Sequence, residues 1–179
     1  MNHDLEHTIA LLERTPGALD ELLRGLPGEW TDRNEGGDSW SPREIVAHLS
    51  HAERTDWLPR VRHLLEFGES QPFPPFDRLA QRRQMQGKGI SELLVEFAAL
   101  RAASLDQLRE LGLGPSEMER RGMHPALGSV TLGQLLATWA THDLTHLHQI
   151  ARVMAHQYRD LVGPWSKYLG VLQCNGHSS

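Results

Sequence analysis

Apolar residues recur at steps of three and four over four long stretches of the chain, the period of an amphipathic helix. The first stretch, residues 2–25, sets Leu5, Ile9, Leu12, Leu19, Leu22 and Leu23 on that spacing. Pro16-Gly17 predicts an irregularity within it, and Gly25, Pro27 and Gly28 predict its end. A polar loop containing Gly36-Gly37 leads to Trp40. The second stretch opens on a strong start signal: Ser41 as N-cap, Pro42 in the first turn, and Glu44 completing an S-x-x-E capping box. Its stripe runs through Ile45, Leu49, Ala52, Leu58, Val61, Leu64 and Leu65, with a kink expected at Pro59 and a stop at Gly68. In the proline-rich link that follows, Phe73 and Phe76 are placed to tuck against the helices.

The third helix is expected over Ile90 to Leu111, with Leu93, Leu94, Phe97, Leu100, Leu105 and Leu108 inward. The segment G-L-G-P-S-E-M-E-R-R-G-M-H-P-A-L-G reads as a long loop holding one short turn. Thr131 and Gln134 form a second capping box and begin a fourth helix that runs to about Tyr158. Gly163-Pro164 breaks the chain, and Trp165 to Gln173 can form a short terminal helix. No strand pattern and no internal repeat is visible. The expected class is all-α: an antiparallel four-helix bundle with a short C-terminal helix, built as one domain over residues 1–179.

The fourth helix changes the picture from fold to chemistry. Its inward seam reads Leu132, Leu135, Trp139, His142, His146, Ile150, Val153. Two imidazoles at i and i+4 have Cβ atoms about 5–6 Å apart, close enough to share one ion. Buried imidazoles need a hydrogen bond or a metal on each ring nitrogen, and a metal is the simplest answer. His48, beside Leu49 on the inward side of the second helix, is the expected third ligand, with His51 one turn later in reserve. Three neutral imidazoles leave a divalent ion with an open position, as catalytic sites do. Di-iron bundles need Glu-x-x-His pairs, and no glutamate here has a histidine three residues on. His142-Asp143-Leu144-Thr145-His146 has the spacing of the zinc-protease H-E-x-x-H, but Asp replaces Glu and the extended downstream pattern is missing.

Around these ligands, Trp139 is expected against the metal site and Glu53 as a supporting partner or a solvated group. Asp143 is expected exposed or paired with a base. His148 should face the surface or an interface, while His3, His7, His63, His124, His156 and His177 default to the surface. Trp40 and Trp57 read as core or pocket wall.

The segment Trp40 to Glu53, W-S-P-R-E-I-V-A-H-L-S-H-A-E, resembles the opening of the second helix in the DinB/YfiT-like superfamily. His124 to Leu136 and His142 to Ile150 resemble that family's approach to its fourth helix and the helix itself. The resemblance implies an up-down-down-up four-helix bundle, often dimeric, with zinc or nickel at positions matching His48, His142 and His146. It also implies relatives that include thiol-dependent S-transferases and an isomerase.

Composition adds limits. The formal charge of −5 is spread without a basic stripe, so nucleic acid is not an expected partner. The start M-N-H-D-L-E-H-T-I-A lacks the order of a signal peptide, and no apolar run is long enough to span a bilayer. One cysteine, Cys174, excludes an internal disulfide. A cytoplasmic homodimer acting on a small molecule or thiol is expected, as a metal-dependent transferase or hydrolase. The rival is a non-catalytic helical binding or scaffolding protein with a structural or vestigial metal site.

Overall fold

In the computed structural model, which describes residues 4–77 and 80–174, the four periodic stretches form four helical rods. Rod 1 is α1 (Leu5–Leu12) plus α2 (Arg14–Leu23), followed by one turn of helix, α3 (Gly28–Thr31). Rod 2 is α4 (Pro42–Thr55) plus α5 (Trp57–Phe67). A short α6 (Ala80–Gln84) precedes rod 3, which is α7 (Ile90–Glu110). A turn of helix, α8 (Pro115–Met118), and a hairpin then lead to rod 4, α9 (Leu132–His156). Both expected capping boxes are formed, at Ser41–Glu44 and at Thr131–Gln134. No helix among the described residues is long and apolar enough to cross a membrane.

Prolines break the first two rods a few residues upstream of themselves. Pro16 lacks the N–H that would bond to the Leu12 carbonyl, and α1 ends at Leu12. Pro59 likewise cannot bond to Thr55, and α4 ends there, leaving Asp56 between α4 and α5 with φ −115° and ψ −71°. The irregularity foreseen at Pro16-Gly17 and the kink foreseen at Pro59 are therefore breaks in the hydrogen-bond ladder.

Rod 1 packs between rods 3 and 4, with α1 against α9 and α2 against α7. Rod 2 also touches both, α4 against α7 and α9, and α5 against α9. The first two rods thus face each other across the bundle instead of lying side by side. The buried apolar residues fall into two clusters. One gathers Leu12, Trp57, Leu105 and Trp139, and the other gathers Leu19, Leu49, Phe97 and Ile150. Between them on the rods lie the buried polar residues His48, Glu53, Arg101, Asp143 and His146.

One expectation needs correction. The loop before rod 4 contains an antiparallel ribbon, β1 (Arg121–His124) with β2 (Gly128–Thr131), paired Arg121 to Thr131 and His124 to Gly128. Its partner is the proline-rich strap: Phe73 N donates to the Met123 carbonyl at 2.8 Å. The ribbon lies outside the bundle, and its last residue is the N-cap of α9. The terminal segment takes the tighter 3-10 form, over Gly163–Tyr168 and Gly170–Leu172, with no residue buried in either piece. With none of its side chains buried, tertiary packing adds little to favour a longer α-helix there.

Gly122 locks the ribbon to rod 2. A Cβ at this position would lie 3.0 Å from both Leu64 Cγ and Phe73 Cζ. Gly122→Leu should lower stability by about 1–3 kcal/mol, the usual cost of overpacking. Urea unfolding should read this as a lower midpoint; an unchanged midpoint would show that the ribbon is not seated on Leu64 and Phe73.

Candidate metal centre

The two seam histidines of α9 and His48 of α4 converge. His142 Nε2 lies 3.2 Å from His48 Nε2 and 3.0 Å from His146 Nε2. One ligand atom from each ring can be chosen so that all three lie within 4.8 Å of one another. Nitrogens held about 2.0–2.1 Å from one ion would be roughly 2.9–3.4 Å apart at adjacent tetrahedral or octahedral positions, so both short distances fit. A ring nitrogen carries either a proton or a lone pair in the ring plane. His142 Nε2 can therefore satisfy one imidazole neighbour by hydrogen bonding, not two. A cation among the three nitrogens accepts every lone pair.

The tautomer of His146 is set from outside the cluster. Its Nδ1 donates to Gln149 Oε1 at 2.8 Å, which leaves the Nε2 lone pair directed at the other imidazoles. His142 Nδ1 is buried with no hydrogen-bond partner among the described residues. Burial, then repulsion from His146, His48 and Arg101, pushes the His142 pKa down to about 2. Burial also lowers that of His146, against opposing contributions from Gln149 and Asp143. Both rings are thereby kept neutral, the state a metal ligand requires.

Aromatic rings enclose the cluster. Trp40 lies with its ring centre 4.8 Å from that of His48 and stacks toward His146 at 6.2 Å. Trp57 meets His142 edge-on at 5.0 Å. Trp139, expected against the site, stacks on Trp57 at 5.9 Å and donates its indole N–H to Glu53 Oε1 at 3.1 Å. The ring contact with His142 is thus made by Trp57. His51, the reserve ligand, is buried on the neighbouring flank, where it packs on Phe76 and its Nε2 lies 3.4 Å from Thr55 Oγ1.

Glu53 and Asp143 share one buried partner, Arg101 of α7. Its Nε and Nη2 donate to Glu53 Oε1 at 3.0 and 2.8 Å. Nη1 and Nη2 donate to Asp143 at 2.6 and 3.0 Å. The second Nη1 hydrogen goes to the Leu12 carbonyl at 2.8 Å, the acceptor that Pro16 left without a helical partner. All five N–H groups are used. Burial opposes the Arg101 charge, but Asp143 and Glu53 outweigh it and raise its pKa. Asp143 is therefore paired with a base, and Glu53 is buried rather than solvated. Sequence reasoning missed Arg101 and Gln149. The available signals were a basic residue on the Phe97–Leu105 stripe and an amide three residues after His146.

A cavity of about 330 Å³ opens on His48 and His142 and is also lined by Trp40, Asp56, Arg60, Phe76 and His124. His124, expected at the surface, is half-buried in this wall, while His7 and His148 are exposed. His63 and His156 are half-buried, and His3 and His177 lie outside the described residues. Burial raises the pKa of Asp56, with Arg60 and His51 opposing it.

Comparison with known proteins places this geometry in a family. Residues 11–150 match the model of the DinB superfamily. The chain belongs to that superfamily. A protein of Oceanobacillus iheyensis named "Putative metal-dependent hydrolase" is 28% identical over 143 residues, covering 78% of this chain and 79% of its own. The solved structure of YfiT from Bacillus subtilis, described as a probable metal-dependent hydrolase with an unusual four-helix bundle topology, superposes with a TM-score of 0.69. It covers 91% of this DinB-superfamily chain and 90% of its own at 20% identity, a likeness of fold.

Two outcomes test the buried groups. The folded protein keeps His142 neutral down to a pH of about 2, whereas the unfolded chain takes up that proton near its ordinary value of 6.5. The unfolded state therefore binds more protons between those limits, and metal-free protein should lose stability as pH falls below about 6.5. Urea midpoints in chelator should fall from pH 7 to 5, with a shallower fall in His142→Asn; equal slopes would refute the neutral buried state. Arg101→Met should cost about 3–5 kcal/mol by leaving two carboxylates buried without their cation. A loss below about 1 kcal/mol, the scale of a surface pair, would show that the network is solvated.

Proposed function

We propose that this protein is a metal-dependent enzyme in which His48, His142 and His146 hold one divalent ion, zinc or nickel, and act on a small organic molecule by hydrolysis or thiol-dependent transfer. The observation that carries this reading is the convergence of three imidazoles, two of which, His48 and His142, line a cavity. When bound, the ion supplies Lewis-acid polarisation and favours an oxygen or sulfur nucleophile in its deprotonated form. Gln149 holds His146 in the ligating tautomer, and Trp40 and Trp57 keep the rings in place and limit water. Arg101, Glu53 and Asp143 together carry one surplus negative charge beside His146, which suits a site for a dication. The names of the relatives favour hydrolysis, while the motif resemblance keeps thiol transfer in view. The cavity argues against a purely structural ion, for which a closed shell of protein ligands is usual.

Apolar side chains left exposed on rod 1, Leu11 and Leu22, and on rod 4, Leu144, support pairing of two copies of the chain. Light scattering should then give the dimer mass, and a monomer at micromolar concentration would exclude it.

Metal analysis of protein purified without a nickel column should find about one equivalent of zinc or nickel, as one three-ligand site requires. His146→Ala should lose it while keeping the helical circular dichroism. A variant that retains a full equivalent would overturn the assignment.

A further inference from the structure

The cavity has further polar lining, formed by residues outside the imidazole cluster. Arg60, in the first turns of α5, belongs to it with Asp56. Arg60 Nε lies 2.6 Å from Asp56 Oδ1, an ion pair one helical turn apart. The guanidinium rests over the Phe73 ring at 5.4 Å. Its terminal nitrogens donate to no described residue, although each carries two hydrogens.

His124, at the end of β1, lines the same cavity. Its Nδ1 accepts from the backbone N–H groups of Ala126 and Leu127, each at 3.1 Å. The ring proton must then sit on Nε2, which can only donate. Burial, then the nearby Arg60 charge, lowers the His124 pKa and keeps the ring neutral. The lining thus offers hydrogen-bond donors from two fixed side chains. Asp56 offsets the Arg60 charge, so the lining suits the oxygens of a monoanion better than a phosphate dianion. Trp40, Pro75, Phe76 and Pro125 supply apolar surface for a short carbon skeleton, and the volume is at the small end of ligand pockets.

We propose that Arg60 and His124 recognise a carboxylate on the substrate, making the substrate a small organic acid. This rests on the function proposed above only in placing the reacting atom at the imidazole cluster.

The test uses propionate and its neutral counterpart propionamide. Each is titrated into metal-free and zinc-loaded protein while the side-chain nitrogen signals of His124 and Arg60 are followed by NMR. Propionate, and not propionamide, should shift both signals in both forms. Arg60→Met should weaken propionate binding by roughly tenfold or more, the scale of a lost charge-assisted hydrogen bond. Arg60→Lys, which keeps a cation beside Asp56, should bind with intermediate strength and guards against a folding defect in the first variant. His124→Gln should retain more binding than His124→Phe, because it keeps a donor. Absence of shifts in both forms, or equal shifts from propionamide, would overturn the inference. So would inorganic phosphate binding more tightly than propionate. Binding confined to the zinc-loaded form and unchanged in Arg60→Met would place the carboxylate at the metal, removing this inference and leaving the proposed function intact. Binding through Arg60 in a protein that takes up no zinc would uphold the inference and remove the metal.

Discussion

A guanidinium buried among helices must have all its hydrogen bonds satisfied, and Arg101 has its five N–H groups directed at three other rods. From rod 3 it holds the Leu12 carbonyl of rod 1, Glu53 of rod 2 and Asp143 of rod 4. Leucine seams alone tolerate sliding, since one apolar ridge packs much like the next. A slide of one helical turn, about 5.4 Å, would strand three charges at once. The network therefore fixes the axial positions of rods 2 and 4. His48 lies just over a turn from Glu53, and His142 adjoins Asp143, so the imidazoles inherit their alignment from it.

The same layer divides the apolar core into two clusters. Trp139 joins the network to the ring system: it donates to Glu53 and stacks on Trp57, which in turn meets His142. Indole N–H, carboxylate, guanidinium and imidazole thus form a continuous path of polar and ring contacts from the bundle centre to the cavity. Pro16 has a part in it far from any ligand, because the carbonyl it frees becomes an acceptor for Arg101.

Much of this was legible in the sequence. Capping boxes at Ser41 and Thr131 mark two helix starts, and histidines at i and i+4 on an apolar seam mark the cluster. Those signals are local, with the pattern and the structure lying within one or two helical turns. The ribbon was not legible, since Arg121–His124 holds no β-branched residue and Gly128–Thr131 holds only Val130 and Thr131, side by side at its end, with no alternation. Its pairing depends on a strap some fifty residues earlier. Arg101 shows in the sequence only as a basic residue on an apolar stripe, and its partners are 42 to 89 residues away. His124 has no periodic context at all, and its place in the cavity follows from the turn that binds its Nδ1.

The strap and ribbon contribute Phe76 and His124 to the cavity, yet they lie outside the four rods. They are tied on by backbone bonding at Phe73 and by the close fit of Gly122. The imidazole cluster, in contrast, is welded into helices whose faces are committed to the core. At strap and ribbon positions other than Phe73, Phe76 and Gly122, which pack on rod 2 or on His48, a change of size or charge acts on the cavity before it acts on a helix or an imidazole. On the function proposed above, a lineage built on this architecture would exchange one set of small-molecule partners for another by redrafting a short stretch of loop, while its imidazole cluster stayed in place.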